Sequence, residues 1–209
     1  GDDLYKIYIN KDGIKVSVDN SLKPLDNYPL IEKLRQEYGD KVAYMSIGSA
    51  GERKLLASSI ACTDSELRPT RHCGRGGSGA VMGAKGVKAI ILDDAGMTMR
   101  PPKDAEKFRD ANRRFVEGLR KHPVTGQGLP AYGTNVLTNI INEAGGYPSY
   151  NFKNGQFAGS AKISGETEAD LEVKRGGIAT HGCHRGCVIQ CSGVYHDKDG
   201  HYLTKQPEY

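Results

Sequence analysis

The stretch Arg71–Leu92 reads RHCGRGGSGAVMGAKGVKAIIL and joins a run of glycines to a short apolar segment. Glycine has no side chain, so this run permits tight turns and close approach of one backbone to another or to a ligand. The apolar segment Val87–Leu92 is bounded by a glycine and has the length of a buried strand. The stretch therefore predicts a glycine loop that leads into a buried strand.

Two interpretations of the glycine loop follow from its residues. Backbone N–H groups of successive glycines can cradle a phosphate, and Arg71, Arg75 and Lys85 would add charge-assisted contacts. Alternatively, the glycines line a turn where two backbones pack tightly. A P-loop is excluded because Lys85 is followed by Gly86 instead of Ser or Thr. A dinucleotide site is disfavoured because no strand is predicted before the glycines and no room for a helix remains before Val87.

The residues before the glycine loop predict a mixture of strands and a helix. Alternating apolar residues predict a hairpin with strands at Leu4–Ile9 and Ile14–Val18. A helix is expected from Asp26 or Asn27 to Tyr38, and Gly39 would end it. Two further strands are predicted, at Val42–Ile47 and Lys54–Ala61.

The composition changes after Gly96. A charged amphipathic helix is predicted over Lys103–His122 and a second helix over Thr134–Ala144, whereas residues 145–178 are expected to be irregular. We therefore predict an α+β fold with a boundary near residue 96. Residues 1–96 form a mixed α/β part, and residues 97–209 form a mainly helical, loop-rich part.

Charge and composition limit the function classes. The formal charge of +4 is spread over 209 residues without a basic block, which does not favour nucleic-acid binding. No apolar run approaches the length of a membrane span. Three of the five cysteines are clustered, which is unlike a disulfide framework and predicts a reducing, cytoplasmic setting. The two ends of the chain suggest a fragment of a longer protein.

The segment HGCHRGCVIQC, residues 181–191, is the second candidate site. Cys183, Cys187 and Cys191 offer soft thiolate donors, which suit an iron–sulfur cluster or zinc. Zinc would need additional ligands, for which the histidines at 181, 184, 196 and 201 are candidates. A third interpretation is a helix on which cysteines at this spacing stack along one face as small apolar residues.

Two separated motifs resemble one family. Residues 74–90, GRGGSGAVMGAKGVKAI, are similar to a long glycine motif of the aldehyde:ferredoxin oxidoreductase family, which comprises tungsten or molybdenum bis-pterin enzymes. Residues 46–52, SIGSAGE, resemble an I-G-x-A-G-E segment of that family, and residues 186–191, GCVIQC, resemble the end of its cluster motif. The resemblance spans most of the chain and implies the end of an N-terminal pterin-binding domain followed by the start of a helical domain.

The resemblance implies specific cofactor contacts. In the family, the loop contacts the pterin and its phosphates, and one backbone carbonyl helps to hold a Mg²⁺ ion that bridges the two pterins. His72 and Cys73 stand where the family commonly has Arg-Ala. The matching cofactor-binding positions are Arg71, His72, Cys73, Gly74, Arg75, Gly76, Gly77 and Gly79.

The resemblance also assigns Cys183, Cys187 and Cys191 as three of four ligands of a [4Fe-4S] cluster, with the fourth expected beyond this chain. Many family members have two residues between their first and second cysteine. This chain has three, so His184 is an alternative to Cys183 as the first ligand.

The implied reaction is oxidation of an aldehyde to a carboxylic acid, with electrons passing through the cluster to ferredoxin or another iron–sulfur acceptor. The implied partners are the aldehyde substrate, the remainder of the polypeptide and a possible second copy of the chain. No residue of this chain is predicted to be a catalytic acid or base, and the segment alone is expected to be inactive. The alternative function is a zinc-stabilised or structural assembly module without redox activity.

Overall fold

The computed structural model describes residues 2–205 and contains both sheets and helices. The chain divides into two compact units, with the division between Arg100 and Pro101. The presence of strands and helices in both units confirms the predicted mixed α+β fold. The residues 206–209, with which the predicted second part ends, lie outside the described range.

The first unit is built on a six-stranded sheet. Among the described residues of this unit, only β1 and β6 pair in parallel, and every other neighbouring pair is antiparallel. The order of strands across the sheet is β2-β1-β6-β3-β4-β5. The strands are β1 Tyr5–Asn10, β2 Gly13–Val18, β3 Ala43–Ser46, β4 Ile60–Cys62, β5 Arg71–Cys73 and β6 Val87–Leu92.

Three α-helices accompany this sheet within residues 2–100: α1 Asn27–Tyr38, α2 Ser49–Glu52 and α3 Ser78–Ala84. The apolar face of α1 is buried through Leu30, Ile31 and Leu34, as the spacing of these residues predicts. These side chains belong to a core cluster with the strand residues Tyr44 and Ile91. Burial of this apolar surface holds α1 on the sheet.

The hairpin, α1 and β6 confirm the predictions made from local patterns. The strand predicted at Lys54–Ala61 is wrong over most of its length, because only Ile60–Cys62 is extended. The segment before it forms turns, in which Lys54 has a φ of 59° and the side chain of Leu56 is 87% exposed. Without a buried face, those apolar residues have nothing to stabilise a strand against.

Over residues 101–205, the second unit contains four α-helices and a three-stranded antiparallel sheet in the order β7-β8-β9. A π-helical turn at Val124–Gly128 connects the first two helices. Short 3₁₀ turns at Thr134–Val136 and Ser160–Lys162 precede the last two. The elements are α4 Ala105–Lys121, α5 Leu129–Tyr132, α6 Leu137–Glu143, α7 Gly165–Lys174, β7 Thr180–His181, β8 Ser192–His196 and β9 Tyr202–Lys205.

Helix α7 lies within residues 145–178, which the sequence predicted to be irregular, so that prediction is wrong over Gly165–Lys174. Ser164 caps the helix, with its side chain accepting a hydrogen bond from the N–H of Thr167. Its buried positions include Glu168 and Glu172, which are carboxylates. A helix that buries polar residues carries little apolar periodicity, which is why its pattern was missed.

The predicted helix at Lys103–His122 is confirmed as α4, but its apolar side chains are exposed. Phe108 is 60% exposed and Phe115 is 66% exposed, and no residue of α4 is buried within the described structure. Across residues 2–205, no helix has the length and hydrophobicity needed to cross a bilayer.

Candidate cofactor loop and metal centre

The glycine loop connects the edge strand β5 to helix α3. Strand β5 pairs with β4, so that Cys73 lies opposite Ile60 and Arg71 lies opposite Cys62. The loop closes through the Ser78 hydroxyl, which donates to the Cys73 carbonyl at 2.8 Å. The segment between Cys73 and Ser78 is consequently short, with both of its ends held by regular structure.

The glycines of this loop fall into two groups with different physical roles. A Cβ atom at Gly77 would lie 2.5 Å from the Leu56 carbonyl oxygen, and one at Gly79 would lie 2.6 Å from the Ser59 carbonyl oxygen. At Gly83 the corresponding distance, to the Gly51 carbonyl oxygen, is 1.9 Å. These three glycines are required by backbone packing, which is the second of the two interpretations given by the sequence.

The other group faces open space. A Cβ atom at Gly74 or Gly76 would meet nothing within 4 Å. Gly76 has a φ of 80°, a left-handed conformation that favours glycine. No packing partner accounts for the absence of a side chain at Gly74, so the Gly74–Gly76 turn is the part of the loop that is accessible to a ligand.

The grounds given above against a dinucleotide site need correction. A strand, β5, does precede the glycines, and the seven-residue helix α3 fits before Val87. A dinucleotide site is still disfavoured, for a different reason. Strands β5, β4, β3 and β6 alternate in direction along the sheet, so β5 runs antiparallel to β6. A dinucleotide-binding unit requires its helix to join parallel strands.

Charged and polar groups surround the open turn. Arg75 is exposed within it, and Arg71 on β5 is partly buried. The Nδ1 atom of His72 lies 2.8 Å from the Ser59 hydroxyl. Although His72 is exposed overall, desolvation of part of its ring lowers its pKa. The positive charge at this turn therefore comes from the arginines.

Two cysteines lie on neighbouring strands beside the loop. Burial of Cys62, together with the proximity of Cys73, raises the pKa of the Cys62 thiol to about 11. Cys73 is exposed. Cys62 is therefore protonated at neutral pH and poorly nucleophilic.

A buried ion pair ties the two glycine-containing motifs together. Lys88 on β6 is fully buried, and its ammonium group pairs with the Glu52 carboxylate at the end of α2. The same ammonium group donates to the Leu25 carbonyl oxygen at 2.6 Å. Because a buried charge is tolerated only when it is paired, this contact explains why both side chains occur in these motifs.

The second candidate site is the loop between β7 and β8, which contains the three clustered cysteines. Residues 182–190 form bends and turns without a helix. The interpretation of these cysteines as the stacked face of a helix is therefore wrong. The left-handed conformations of Gly186, with a φ of 82°, and Gln190, with a φ of 52°, curl the chain back on itself.

The loop brings three donor atoms together. The ligand atoms of Cys183, His184 and Cys187 all lie within 4.8 Å of one another. The Cys187 N–H donates to the His184 carbonyl oxygen at 3.2 Å, which closes a turn between these residues. Cys191 follows immediately before β8 and is not part of this compact group.

The electrostatics of the loop favour a thiolate at Cys187. Burial opposes its ionisation, but hydrogen bonds from backbone N–H groups outweigh burial and lower its pKa. One of these bonds comes from Gln190, whose N–H donates to the sulfur at 3.4 Å. A thiolate is the form in which cysteine binds metals.

Neighbouring elements hold the base of the loop. The N–H of Thr134 donates to the Cys191 carbonyl oxygen at 2.8 Å, and its hydroxyl donates to the same oxygen at 3.1 Å. On the other side, the Thr180 hydroxyl donates to the Pro130 carbonyl oxygen at 2.7 Å. The loop therefore projects from a fixed base, as a metal site requires.

Two of the four histidines considered as zinc ligands are engaged elsewhere. Nδ1 of His196 lies 2.6 Å from Oε2 of the buried Glu172. Nδ1 of His201 lies 3.3 Å from the Asp197 carboxylate. His201, Asp197 and Asp199 form a second compact donor group. There the Asp197 carboxylate accepts from the N–H groups of Asp199 and His201 and so stabilises a turn.

The donor set fits a soft metal centre. Thiolates and imidazole suit zinc and iron–sulfur clusters, whereas Mg²⁺ and Ca²⁺ prefer oxygen ligands. The open glycine turn, with its arginines, fits an anionic group such as a phosphate. A loop with soft donors and an open turn beside two arginines are both compatible with a cofactor-dependent oxidoreductase.

Comparison with known proteins identifies the family. The family model described as aldehyde ferredoxin oxidoreductase, N-terminal domain, matches residues 2–94. The model described as aldehyde ferredoxin oxidoreductase, domains 2 and 3, matches residues 110–209. The chain therefore belongs to the aldehyde ferredoxin oxidoreductase family, a family of oxidoreductases.

Several relatives are named tungsten-containing aldehyde ferredoxin oxidoreductase. The protein from Pyrococcus horikoshii is 41% identical over 97% of this chain and 32% of its own length. Those from Pyrococcus abyssi and Thermococcus kodakarensis are 45% and 39% identical, each over 84% of this chain and 27% of its own length. The chain thus spans about a quarter to a third of the relatives that it matches.

A solved structure shares the fold. The active-site complex BamBC of benzoyl coenzyme A reductase, determined with 1,5-dienoyl-CoA, aligns with a TM-score of 0.63 at 20% identity. The alignment covers 97% of this chain and 30% of that chain. At this identity the similarity shows a common fold.

Proposed function

We propose that this chain is part of an enzyme that oxidises aldehydes to carboxylic acids at a tungsten or molybdenum bis-pterin centre. In this proposal, a [4Fe-4S] cluster passes the electrons to ferredoxin or a similar iron–sulfur acceptor. The observation that carries the proposal is the cysteine loop between β7 and β8. Cys183 and Cys187 offer soft sulfur donors within 4.8 Å of each other, and hydrogen bonds from backbone N–H groups lower the pKa of Cys187.

Cys183, Cys187 and Cys191 are the proposed cluster ligands on this chain. Their loop lies between two strands of a small sheet, and hydrogen bonds from neighbouring segments hold its base. N–H groups directed at sulfur stabilise negative charge there and so influence the reduction potential of a cluster. Three ligands from one short segment leave one ligand to come from elsewhere in the protein.

The glycine turn is the proposed contact for pterin phosphates and the bridging Mg²⁺. A Cβ atom at Gly74 or Gly76 would meet no other atom within 4 Å, so a phosphate can approach the backbone there. Arg71 and Arg75 supply positive charge. In contrast, Gly77 and Gly79 act through packing that shapes the turn. The backbone of His72 and Cys73 on β5 presents the turn at the sheet edge. The residues 1–96 are proposed to be the C-terminal portion of the pterin-binding domain, and residues 97–209 the start of the helical domain.

The bound metal–pterin centre would supply the two-electron chemistry, and this chain would contribute binding and orientation. We assign no catalytic acid or base among the described residues. Burial raises the pKa of Glu168, but its carboxylate accepts from the Asn135 side-chain amide at 2.6 Å and the Tyr195 hydroxyl at 3.4 Å. These contacts give Glu168 a structural role in joining α7 to β8.

The proposed partners are the remainder of the polypeptide, the aldehyde, the electron acceptor and a second copy of the chain in a homodimer. A cytoplasmic location, with the cysteines kept reduced, is part of the same proposal. The isolated chain is expected to be inactive, because a pterin site shared with other segments is not preorganised without them. Aldehyde oxidation by the 209-residue chain alone would contradict this expectation.

Metal analysis of the anaerobically purified full-length protein tests the proposal. We expect about four iron atoms per chain, broad visible absorption and stoichiometric tungsten or molybdenum. Cys187→Ala should lower the iron content and leave tungsten or molybdenum in place. Cys62→Ala is the matched control, because Cys62 lies outside the cysteine loop, and it should retain all the iron. Equal iron in both variants would refute the assignment of the loop.

One observation favours the alternative of a zinc-stabilised module. Donor atoms that share one tetrahedral zinc ion lie roughly 4 Å apart, and the Cys183, His184 and Cys187 donors meet that condition. Zinc at one equivalent per chain, without iron, tungsten or molybdenum, would establish this alternative. It would also overturn the oxidoreductase proposal.

A further inference from the structure

Two cysteines of the first unit, outside the cysteine loop, lie side by side on neighbouring strands. Cys62 ends β4, and Cys73 ends β5, the outer strand of the sheet. Cys62 lies opposite Arg71, and Cys73 is two residues further along β5, so both cysteine side chains leave the same face of the sheet. The two thiols hydrogen bond to each other. The strand pairing therefore brings their sulfur atoms into contact.

The two thiols differ in exposure, and this difference gives them different chemical roles. Cys73 is exposed, so a small reagent in solution can reach its sulfur, whereas Cys62 is half-buried. Burial of apolar surface explains a cysteine at position 62 but not at position 73. Once the Cys73 sulfur is modified, the Cys62 sulfur lies beside it. Such proximity gives an intramolecular reaction a very high effective concentration. Cys73 is thus placed to react first and Cys62 to react second.

We propose that Cys62 and Cys73 form a reversible disulfide bond, with a low-molecular-weight disulfide such as oxidised glutathione as the electron acceptor. The Cys73 thiolate attacks one sulfur of oxidised glutathione, whose S–S bond breaks, and one glutathione leaves and takes up the proton that Cys73 released. The Cys62 sulfur then loses its proton and attacks the Cys73 sulfur of the mixed disulfide, which expels the second glutathione with that proton. In total, the two thiols lose two electrons and two protons, and one oxidised glutathione becomes two reduced molecules.

The disulfide bond changes the glycine turn, because Cys73 is the residue at which that turn begins. A disulfide bond is about 2 Å long, which is shorter than a hydrogen bond between two sulfurs, so oxidation draws the end of β5 towards β4. The Cys73 carbonyl accepts from the Ser78 hydroxyl at 2.8 Å, which couples this movement to the far end of the turn. Gly74 and Gly76 face open space and can absorb it. The oxidation state of the pair therefore sets the conformation of the open turn.

This inference goes beyond the proposed function and does not depend on it. It concerns the side chains of Cys62 and Cys73, whereas the proposed contact with pterin phosphates uses the backbone of the turn. It also requires no iron, tungsten or molybdenum.

Peptide mapping of the full-length protein tests the disulfide bond, under anaerobic conditions with oxidised glutathione as the added oxidant. Trypsin does not cleave between Arg68 and Pro69, so digestion places Cys62 in the peptide 55–71 and Cys73 in the peptide 72–75. After the remaining thiols are blocked, mass spectrometry should find these two peptides joined, with the loss of two hydrogen atoms. An excess of reduced glutathione, added before blocking, should abolish the joined species.

Two single variants provide matched controls. In Cys62→Ser the reaction should stop at a mixed disulfide between Cys73 and glutathione. In Cys73→Ser the Cys62 thiol should stay unmodified, because burial protects it. Wild-type protein that carries glutathione on Cys73 without any joined peptides would overturn the inference, as would glutathione on Cys62 in Cys73→Ser.

Hydrogen exchange of the backbone N–H groups of residues 74–76, measured by mass spectrometry, tests the effect on the turn. Their exchange rates should differ between oxidised and reduced wild type, and the same treatment should leave them unchanged in Cys62→Ser. Joined peptides with unchanged exchange would refute the coupling to the turn. A protein that forms the joined peptides but contains no iron, tungsten or molybdenum would refute the proposed function and leave this inference intact.

Discussion

Replacing Gly83 with alanine should destabilise the protein, because α2 and α3 touch through their backbones at this position. A Cβ atom at Gly83 would lie 1.9 Å from the carbonyl oxygen of Gly51 and 2.7 Å from its carbonyl carbon. Both obstructing atoms belong to the backbone, so no side-chain rotation relieves the contact. The helices would have to separate by about an ångström, because real Cβ contacts essentially never fall below 3.0 Å.

Two opposing terms set the size of the effect. Overpacking a close-packed interior costs about 1–3 kcal/mol, and a backbone obstruction places this substitution near the upper value. Alanine is favoured over glycine in a helix by about 1 kcal/mol, which offsets part of the cost. The net loss in free energy of unfolding should be about 2 kcal/mol.

Urea denaturation of the 209-residue chain, followed by circular dichroism, measures this loss. The urea midpoint should fall by about 1 M with an unchanged slope. Gly74→Ala is the matched control, since its Cβ atom would meet nothing within 4 Å. It should change the free energy of unfolding by less than about 0.5 kcal/mol. Equal midpoints for the two variants would refute the packing of α2 against α3.

Three further predictions concern buried groups. Lys88→Met leaves the Glu52 carboxylate and the Leu25 carbonyl without their buried partner. The substitution should lower the free energy of unfolding by about 3–5 kcal/mol. A variant with the urea midpoint of the wild type would contradict this prediction. Because burial raises the pKa of Cys62 to about 11, iodoacetamide near neutral pH should modify the exposed Cys73 first. Mass spectrometry measures the order, and modification of Cys62 before Cys73 would contradict the prediction. Burial raises the pKa of Glu168 in the folded state. The stability that this carboxyl group contributes is therefore fully present below its pKa in the unfolded state, and it is lost as the pH rises through its pKa in the folded state. In urea denaturation, the stability of Glu168→Gln relative to wild type should therefore increase as the pH rises above the ordinary pKa of a glutamate, about 4.3, and a constant difference would contradict this.

Local patterns in the sequence were sufficient to predict the elements that bury one apolar face or one continuous apolar segment. The hairpin of β1 and β2 alternates in polarity and has a turn at Asn10–Gly13, and α1 has an apolar face between Asp26 at its start and Gly39 at its end. Strand β6 is a compact apolar run. In each case the residues that define the element are neighbours in sequence, so the periodicity is visible without the fold.

Helix α7 shows where such patterns fail. Its buried residues include Glu168 and Glu172, which are accommodated because Asn135, Tyr195 and His196 bind them. These partners are distant in sequence. A buried carboxylate therefore appears as a surface residue until the tertiary structure supplies its hydrogen bonds.

The sequence by itself determined the family, the mixed fold and the two candidate loops, because glycine runs and cysteine clusters are short and chemically distinctive. Only the tertiary structure decided which glycines pack and which face open space. Gly83 lies against a carbonyl from α2, whereas Gly74 has no neighbour, although both belong to one motif. The structure also placed a ring nitrogen of His184 within 4.8 Å of the sulfurs of Cys183 and Cys187. Distances between atoms depend on how separate segments pack, and a linear pattern does not contain that information.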